Sequence, residues 1–388
     1  MVAAVLPEKT PYTTTPDTRP DERSLSKTWL EITTGVSRGR FPFVGCKDGD
    51  LRENLTLEFI EKLGSGTYAE IWRVDAYNAD KSLFWGTKAI KVHCFKADSE
   101  AYYKTAHSEY EAMKKVAGLE GVLSLVGKCE FTLPSEEKCL WILSEFIDGQ
   151  NLHEWTADKD LKTGCVKDFA TQLLHVLSGL SEKGICHADL KPENIMRKKN
   201  GVLKLLDFGL AHLENVGTHN TYSLFYRPPE RIMEIADMFT SSGDVWALGC
   251  ILYELYCGYP LFGIIGCNDF ETESLRGALN LMEKKLGTKI PAEWIEQMPD
   301  SFKRESFEEE DYSFGEINPY SIKEPHQEDE IHALTSMEED IMDAAVENGD
   351  DPDRARLLAD LIKEMLKFDG RSSARELLTH PFFTREGA

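Results

Sequence analysis

The chain changes character near residue 150, and that change restricts it to few architectures. Before it, alternating apolar runs read as strands: LTLEFIEKLGSG from Leu55, then AEIWRVDAY, FWGTKAIKVHCF, VLSLVGKCEF and KCLWILSEF. One stretch among them, Ser99 to Val116, is helix-compatible and rich in Ala, Glu, Lys and Met. After it, VKDFATQLLHVLSGLSEKG carries apolar residues at helical spacing and stops at Gly184. SSGDVWALGCILYELYCG reads as a buried central helix, and ARLLADLIKEML and SARELLTHPFF close the chain. The pattern predicts an α+β, bilobal fold, with a strand-rich lobe over residues 53–147 and a mainly helical lobe over 148–385. A ligand crevice is expected at the boundary near 145–150. Residues 1–52 show no core pattern and read as a flexible extension.

Gly64-Ser65-Gly66-Thr67-Tyr68-Ala69 sits between two of the strands. Closely spaced glycines let a strand–turn–strand bring backbone N–H groups to phosphate oxygens, although the turn alone is equally compatible with an ordinary β-turn. A dinucleotide-binding reading needs a helix next, and IWRV reads as a strand. Lys91, in Lys88-Ala89-Ile90-Lys91, follows on the next strand but one and is placed to meet phosphates. Its ammonium needs a carboxylate, and Glu109 and Glu111 lie in the following helix. Residues two apart diverge around a helix, so only one can face inward. Glu109 is preferred, because Ala112 and Met113 share its face.

The most specific run is Ile185-Cys186-His187-Ala188-Asp189-Leu190-Lys191-Pro192-Glu193-Asn194-Ile195, with Asp207-Phe208-Gly209 eighteen residues after Asp189. These residue types form one chemical set. Asp189 can orient a hydroxyl and accept its proton, Lys191 can neutralise a γ-phosphate, and Asn194 with Asp207 can supply the oxygen ligands Mg²⁺ prefers.

On these motifs the chain resembles the eukaryotic protein kinase superfamily across roughly residues 55–385. The resemblance implies a serine/threonine protein kinase using ATP and Mg²⁺, with Mn²⁺ as an alternative ion. It assigns catalytic roles to Lys91, Glu109, Asp189, Lys191 and Ser223. Nucleotide contacts fall to Gly64, Gly66, Ala69, Lys91, Ser144, Glu145, Ile147, Asn194 and Asp207, with Asn194 and Asp207 as metal ligands. Ser144 resembles the small residue at the back of the adenine pocket. Asp244 resembles the central-helix aspartate that holds the catalytic-loop backbone, and Arg371 the late arginine that pairs with Glu230.

Ser223-Leu224-Phe225-Tyr226-Arg227-Pro228-Pro229-Glu230 is similar to the serine/threonine form. Tyr226-Arg227 resembles the CMGC group, and His187-Ala188-Asp189 is most like its LAMMER-type and SR-protein branches. Two departures stand out. Ala69 replaces a third glycine, and Ala188 replaces the arginine that commonly meets a phosphorylated activation loop. The second implies a kinase that is competent without that phosphate, even though Thr218, Thr221, Tyr222 and Ser223 could be modified. A pseudokinase scaffold, a dual-specificity kinase and a small-molecule kinase of similar fold are the competing readings.

Charge and cysteine content bear on partners. The formal net charge is −23, and 18 of the 67 acidic residues lie between Glu305 and Asp353 with a single lysine. That balance speaks against nucleic acid or an anionic membrane as a partner. The acidic segment 305–353 has three readings: a mobile surface insertion, a dock for basic Arg/Lys-rich protein substrates, or a folded insert. Within it, Ser336 followed by Glu339 reads as a helix N-cap. No apolar run approaches the roughly 18 residues of a membrane span. Nine cysteines without C-x-x-C pairs imply free thiols in a reducing compartment, the cytoplasm and/or nucleus.

Overall fold

Apolar residues along five strands, with a sixth paired to their free edges, let one sheet curl until it meets itself. The computed structural model describes residues 38–45, 52–65, 69–78, 81–95, 100–132, 137–157, 159–213, 222–235, 240–263, 272–298 and 335–385. The strands β1 (Arg38–Gly45), β2 (Arg52–Ser65), β3 (Ala69–Asn78), β4 (Phe84–Phe95), β5 (Leu125–Thr132) and β6 (Lys138–Glu145) form a closed barrel in the order β1-β2-β3-β4-β6-β5. All its pairings are antiparallel. Every second residue points inward. Leu55 and Leu57, Val74 and Ala76, Ile90 and Val92, Cys94 and Cys139, and Trp141 and Leu143 fill the interior. Phe59 and Phe131 both stand edge-on to the Trp141 ring.

The first strand corrects the expectation of an extension through residue 52. Residues 38–45 pair along β2 from Arg38↔Glu58 to Val44↔Arg52 and touch β5 at Val44↔Lys128 and Gly45↔Gly127. This strand is selected by main-chain groups on the otherwise unpaired edges of β2 and β5. Its own alternation is short and broken by Pro42, so side-chain periodicity does not reveal it.

The second lobe is helical. Its long helices are α2 (Thr163–Glu182), α3 (Ser242–Cys257), α4 (Thr272–Leu286), α5 (Met337–Glu347) and α6 (Pro352–Met365), while α1 (Glu100–Lys115) belongs to the first lobe. Helix α3 is buried on every side from Gly243 to Tyr256, apart from Glu254, and forms the lobe's centre. Short strands β7 (Gly149–Asn151), β8 (Ile185–Cys186), β9 (Ile195–Lys198), β10 (Leu203–Leu205) and β11 (His212–Leu213) lie where the lobes meet. At Gly149 a Cβ would fall 2.2 Å from the Arg197 carbonyl oxygen, so the chain leaving the first lobe needs glycine to pass β9.

The acidic segment divides in two. Residues 299–334 lie outside the described residues, whereas 335–353 are built into the helical lobe. Ser336 and Glu339 form a reciprocal capping box at the start of α5. Met337, Ile341, Ala344 and Ala345 recur at helical spacing and are buried. On the same helix Asp340 is buried, receiving Lys285 Nζ at 2.6 Å and the Tyr253 hydroxyl at 2.6 Å. Asp350 accepts the Thr163 N–H at 2.6 Å, placing a carboxylate at the start of α2 where the backbone donors are unpaired. The reading of 305–353 as one surface insertion is therefore corrected for its second half. Two of its acids, Asp340 and Asp350, bond into the body of the lobe, which a charge count does not show.

Asp340→Ala removes the buried carboxylate that Lys285 and Tyr253 both bond and should cost about 3–5 kcal/mol. Glu338→Ala removes only an exposed pair with Lys363 and should cost at most about 1 kcal/mol. Urea unfolding of the two variants beside the wild type makes the comparison. Deleting 308–350 should unfold the helical lobe outright.

Candidate active site

The alternation of β4 decides where Lys91 goes. Ile90 and Val92 point into the barrel, so Ala89, Lys91 and His93 face outward. Directly paired residues on neighbouring strands share a face. Ile71 and Ile142 therefore flank Lys91, and Ser144 stands beside Ala89. On α1, Glu109, Ala112 and Met113 are buried while Glu111 is exposed. Lys91 Nζ meets Glu109 Oε1 at 2.6 Å and Asp207 Oδ1 at 3.0 Å. His93 Nε2 lies 3.6 Å from the other Glu109 oxygen. This imidazole was not legible as a site residue, because nothing in the sequence ties it to a helix beginning several residues later.

Burial works against the ionised form of all three groups, and their mutual attraction overcomes it. Despite burial, Glu109 and Asp207 hold Lys91 above the ordinary lysine range. Burial raises the Asp207 carboxyl, yet Lys91 brings it down to about 2. Glu109 is likewise lowered against its burial, by Lys91 first and then by His93.

The loop from His187 to Asn194 runs between β8 and β9. The buried carboxylate of Asp244, in the first turn of α3, accepts the main-chain N–H of His187 at 2.7 Å and of Ala188 at 2.9 Å. The His187 ring donates from Nε2 to the Leu206 carbonyl at 2.8 Å and accepts the Asp189 N–H at Nδ1, 3.3 Å away. Its edge packs on Phe208 at 4.9 Å. Ala188 and Asp207 both have left-handed backbones, with φ of 60° and 58°. Such residues cost about 1–3 kcal/mol each and persist where their neighbours over-determine them.

Asp189 is 7% exposed and is surrounded by donors. Lys191 Nζ and Asn194 Nδ2 reach its Oδ2 at 2.8 and 3.0 Å, and the Ser223 hydroxyl donates to its Oδ1 at 3.0 Å. Lys191 also stands 3.3 Å from Ser223 Oγ. The Asn194 amide nitrogen is committed to Asp189, so its carbonyl oxygen is the atom left to face an ion. The Asp207 side chain is 45% exposed toward the crevice. Two oxygens from the protein with the remainder from water and phosphate suit Mg²⁺; Asn194 and Asp207 could hold it. Beyond the loop, Arg371 grips Glu230 through Nη1 and Nη2 at 2.8 and 3.2 Å, with both side chains buried.

Gly64, the last residue but one of β2, pairs with Ile71, which pairs in turn with Lys91, and Ala69 begins β3 opposite His93. Gly66 lies outside the described residues. Ser144 is buried, its hydroxyl 3.4 Å from the Ala89 carbonyl, and Ile147 is buried just beyond. Glu145 is differently occupied. Its carboxylate takes the Ser124 N–H at 2.9 Å and pairs with Lys204 at 3.0 Å and Lys198 at 3.2 Å. Those partners outweigh its burial and hold its carboxyl at about 2. Any nucleotide contact by Glu145 falls to its main chain, since the side chain ties the two lobes together.

Residues 57–383 match the family described as protein kinase domain. A protein of Caenorhabditis elegans named cyclin-dependent kinase 4 homolog is 27% identical over 345 residues, which cover 85% of this chain and 71% of that protein.

The lowered carboxyls contribute stability that is complete above the ordinary carboxylate range and is lost as pH falls through their folded values, about 2 for Asp207. The raised Lys91 contributes below the ordinary lysine range and loses this only above it. The wild-type melting temperature should therefore be insensitive to these groups from about pH 5 to 9. In Lys91→Met, Glu109 is buried without its ammonium and its carboxyl should rise, so that variant should gain stability relative to wild type as pH falls from about 7 to 5. Parallel melting curves across that range test the sign.

Proposed function

The chain belongs to the protein kinase family, and from that premise we propose that it transfers the γ-phosphoryl group of ATP to serine or threonine in protein substrates. The observation that carries this reading is the joint engagement of Asp189 by Lys191, Asn194 and Ser223. A substrate hydroxyl arriving at Asp189 loses its proton to that carboxylate as its oxygen bonds to the γ-phosphorus. The bond from γ-phosphorus to the β-phosphate oxygen breaks and ADP departs. Lys191 is placed to offset charge on the transferred group, and Lys91, anchored by Glu109, to hold the adjoining phosphates. A Mg²⁺ ion bound by Asn194 and Asp207 would neutralise phosphate charge.

Ser223, with its hydroxyl between Asp189 and Lys191, supports serine/threonine specificity. Tyr226-Arg227 supports placement in the CMGC group, and Ala188 supports catalytic competence without a phosphorylated activation segment. Basic stretches are the favoured substrate type, on the acidic balance of the chain, and cytoplasm and/or nucleus the favoured location.

Asp189→Asn should remove most turnover while ATP affinity stays within a few fold, because the carboxylate acts in the chemical step. The assay is radiolabel transfer from Mg·ATP to serine, threonine and tyrosine peptide arrays. Equal transfer by wild type and variant would reject the role of Asp189, and transfer confined to tyrosine would reject the specificity.

A further inference from the structure

Ala188 brings no cation to the residue before Asp189, so the segment carrying Ser223 needs another fastening. We propose that the buried phenol of Tyr222 is that fastening: a positioning residue that holds Ser223 against Asp189 with no phosphate in place. The proposal rests on the kinase reading and specifies how its site is kept assembled.

Tyr222 is only 3% exposed, although it directly precedes a residue at the mouth of the site. Its hydroxyl donates to Asp244 Oδ1 at 2.9 Å, the same oxygen that accepts the Ala188 N–H at 2.9 Å. Its own N–H donates to the Ala188 carbonyl at 2.7 Å. Its carbonyl receives Arg227 Nη2 at 3.0 Å and Nε at 3.3 Å. Tyr222 and Ala188 are thus joined twice, once directly and once through one carboxylate oxygen. Both have left-handed backbones, Tyr222 at φ 68°, a conformation a bulky residue keeps only when its contacts compel it.

The space for the phenol comes from Gly243. A Cβ there would lie 2.6 Å from the hydroxyl oxygen and 3.1 Å from the carbon bearing it. The buried Arg231 guanidinium stands 5.9 Å above the ring. Burial first, then the Asp244 charge, keeps the phenol protonated and so able to donate. In this arrangement the hydroxyl is closed off from any phosphorylating enzyme. Tyr222 is a fixed part of the site and no longer a candidate for modification. Ser223 inherits its position, because one peptide unit separates it from an anchored residue.

Tyr222→Phe removes the donor and little else. It should lower kcat about tenfold while the KM for ATP moves less than about twofold, in line with the loss of one hydrogen bond to a charged acceptor. Hydrogen–deuterium exchange should accelerate at the amides of Ala188 and Tyr222 and stay unchanged in α2. Gly243→Ala should reproduce the kcat loss, and the double variant should fall short of the summed effects, because both act on one contact. Wild-type catalysis with an unchanged kcat and exchange pattern in Tyr222→Phe would overturn the anchor and leave the kinase reading intact. Equal acceleration in α2 would also overturn it, marking a global loss of stability. If no peptide is phosphorylated by wild type, the kinase reading fails, and the exchange pattern alone still decides whether Tyr222 fastens the loop.

Discussion

A single carboxylate, buried at the head of the central helix and bonded by main-chain and phenol donors, organises the second lobe around the site. Asp244 is 1% exposed. An isolated charge at that depth would cost several kcal/mol. Three donors meet it: the amides of His187 and Ala188 and the phenol of Tyr222. Its place in the first turn of α3 adds the favourable end of the helix dipole. The loop that presents Asp189 and the segment that presents Ser223 are therefore referenced to the same atoms. Strain at Ala188 and Tyr222 follows, since two chains must bend sharply to reach one group.

The first lobe is referenced to the second by different means. Segment 121–124 joins β10 through Leu205 N–H to the Gly121 carbonyl at 2.8 Å and Leu123 N–H to the Leu205 carbonyl at 3.0 Å. Lys204 reaches both the Val122 carbonyl and Glu145. Across the crevice, Lys91 bonds Asp207 directly. The two lobes thus meet through a main-chain bridge behind the crevice, reinforced by the Glu145 pairs with Lys198 and Lys204, and an ion pair inside it. The bridge lies away from the crevice with its charges paired, whereas the Lys91–Asp207 pair is open to competition from any phosphate or metal entering between them.

Features that rest on local order were legible in the sequence. The order of Lys91, Asp189, Lys191, Asn194 and Asp207 contained enough chemistry to assemble a site on paper, and the structure brings Lys91 to Asp207 and Asn194 to Asp189. The choice of Glu109 over Glu111 and the Ser336 cap followed from helix geometry in the same way. Features that depend on remote neighbours were hidden. β1 exists because two edges lack partners, not because its residues alternate. The Glu145 side chain is spoken for by lysines more than fifty residues away. Counting charge over 305–353 concealed that Met337 and Ile341 give part of it an apolar face. Tyr222 reads as a modifiable hydroxyl until the space left by Gly243 is seen.

Among the described residues, the barrel of the first lobe is sealed by two residue pairs between β1 and β5, Val44↔Lys128 and Gly45↔Gly127. The remaining seams are longer, among them the pairing of β4 with β6 from Lys88↔Glu145 to Phe95↔Lys138. Cooperative opening begins where the fewest bonds must break together. The β1–β5 join is thus the zip of this lobe: undoing it bares the outer rim of β5 yet leaves Lys91 clamped between β3 and β6. Breathing at that rim and alignment of Lys91 are mechanically separate, so the lobe can be loosened at its back without slackening at its front.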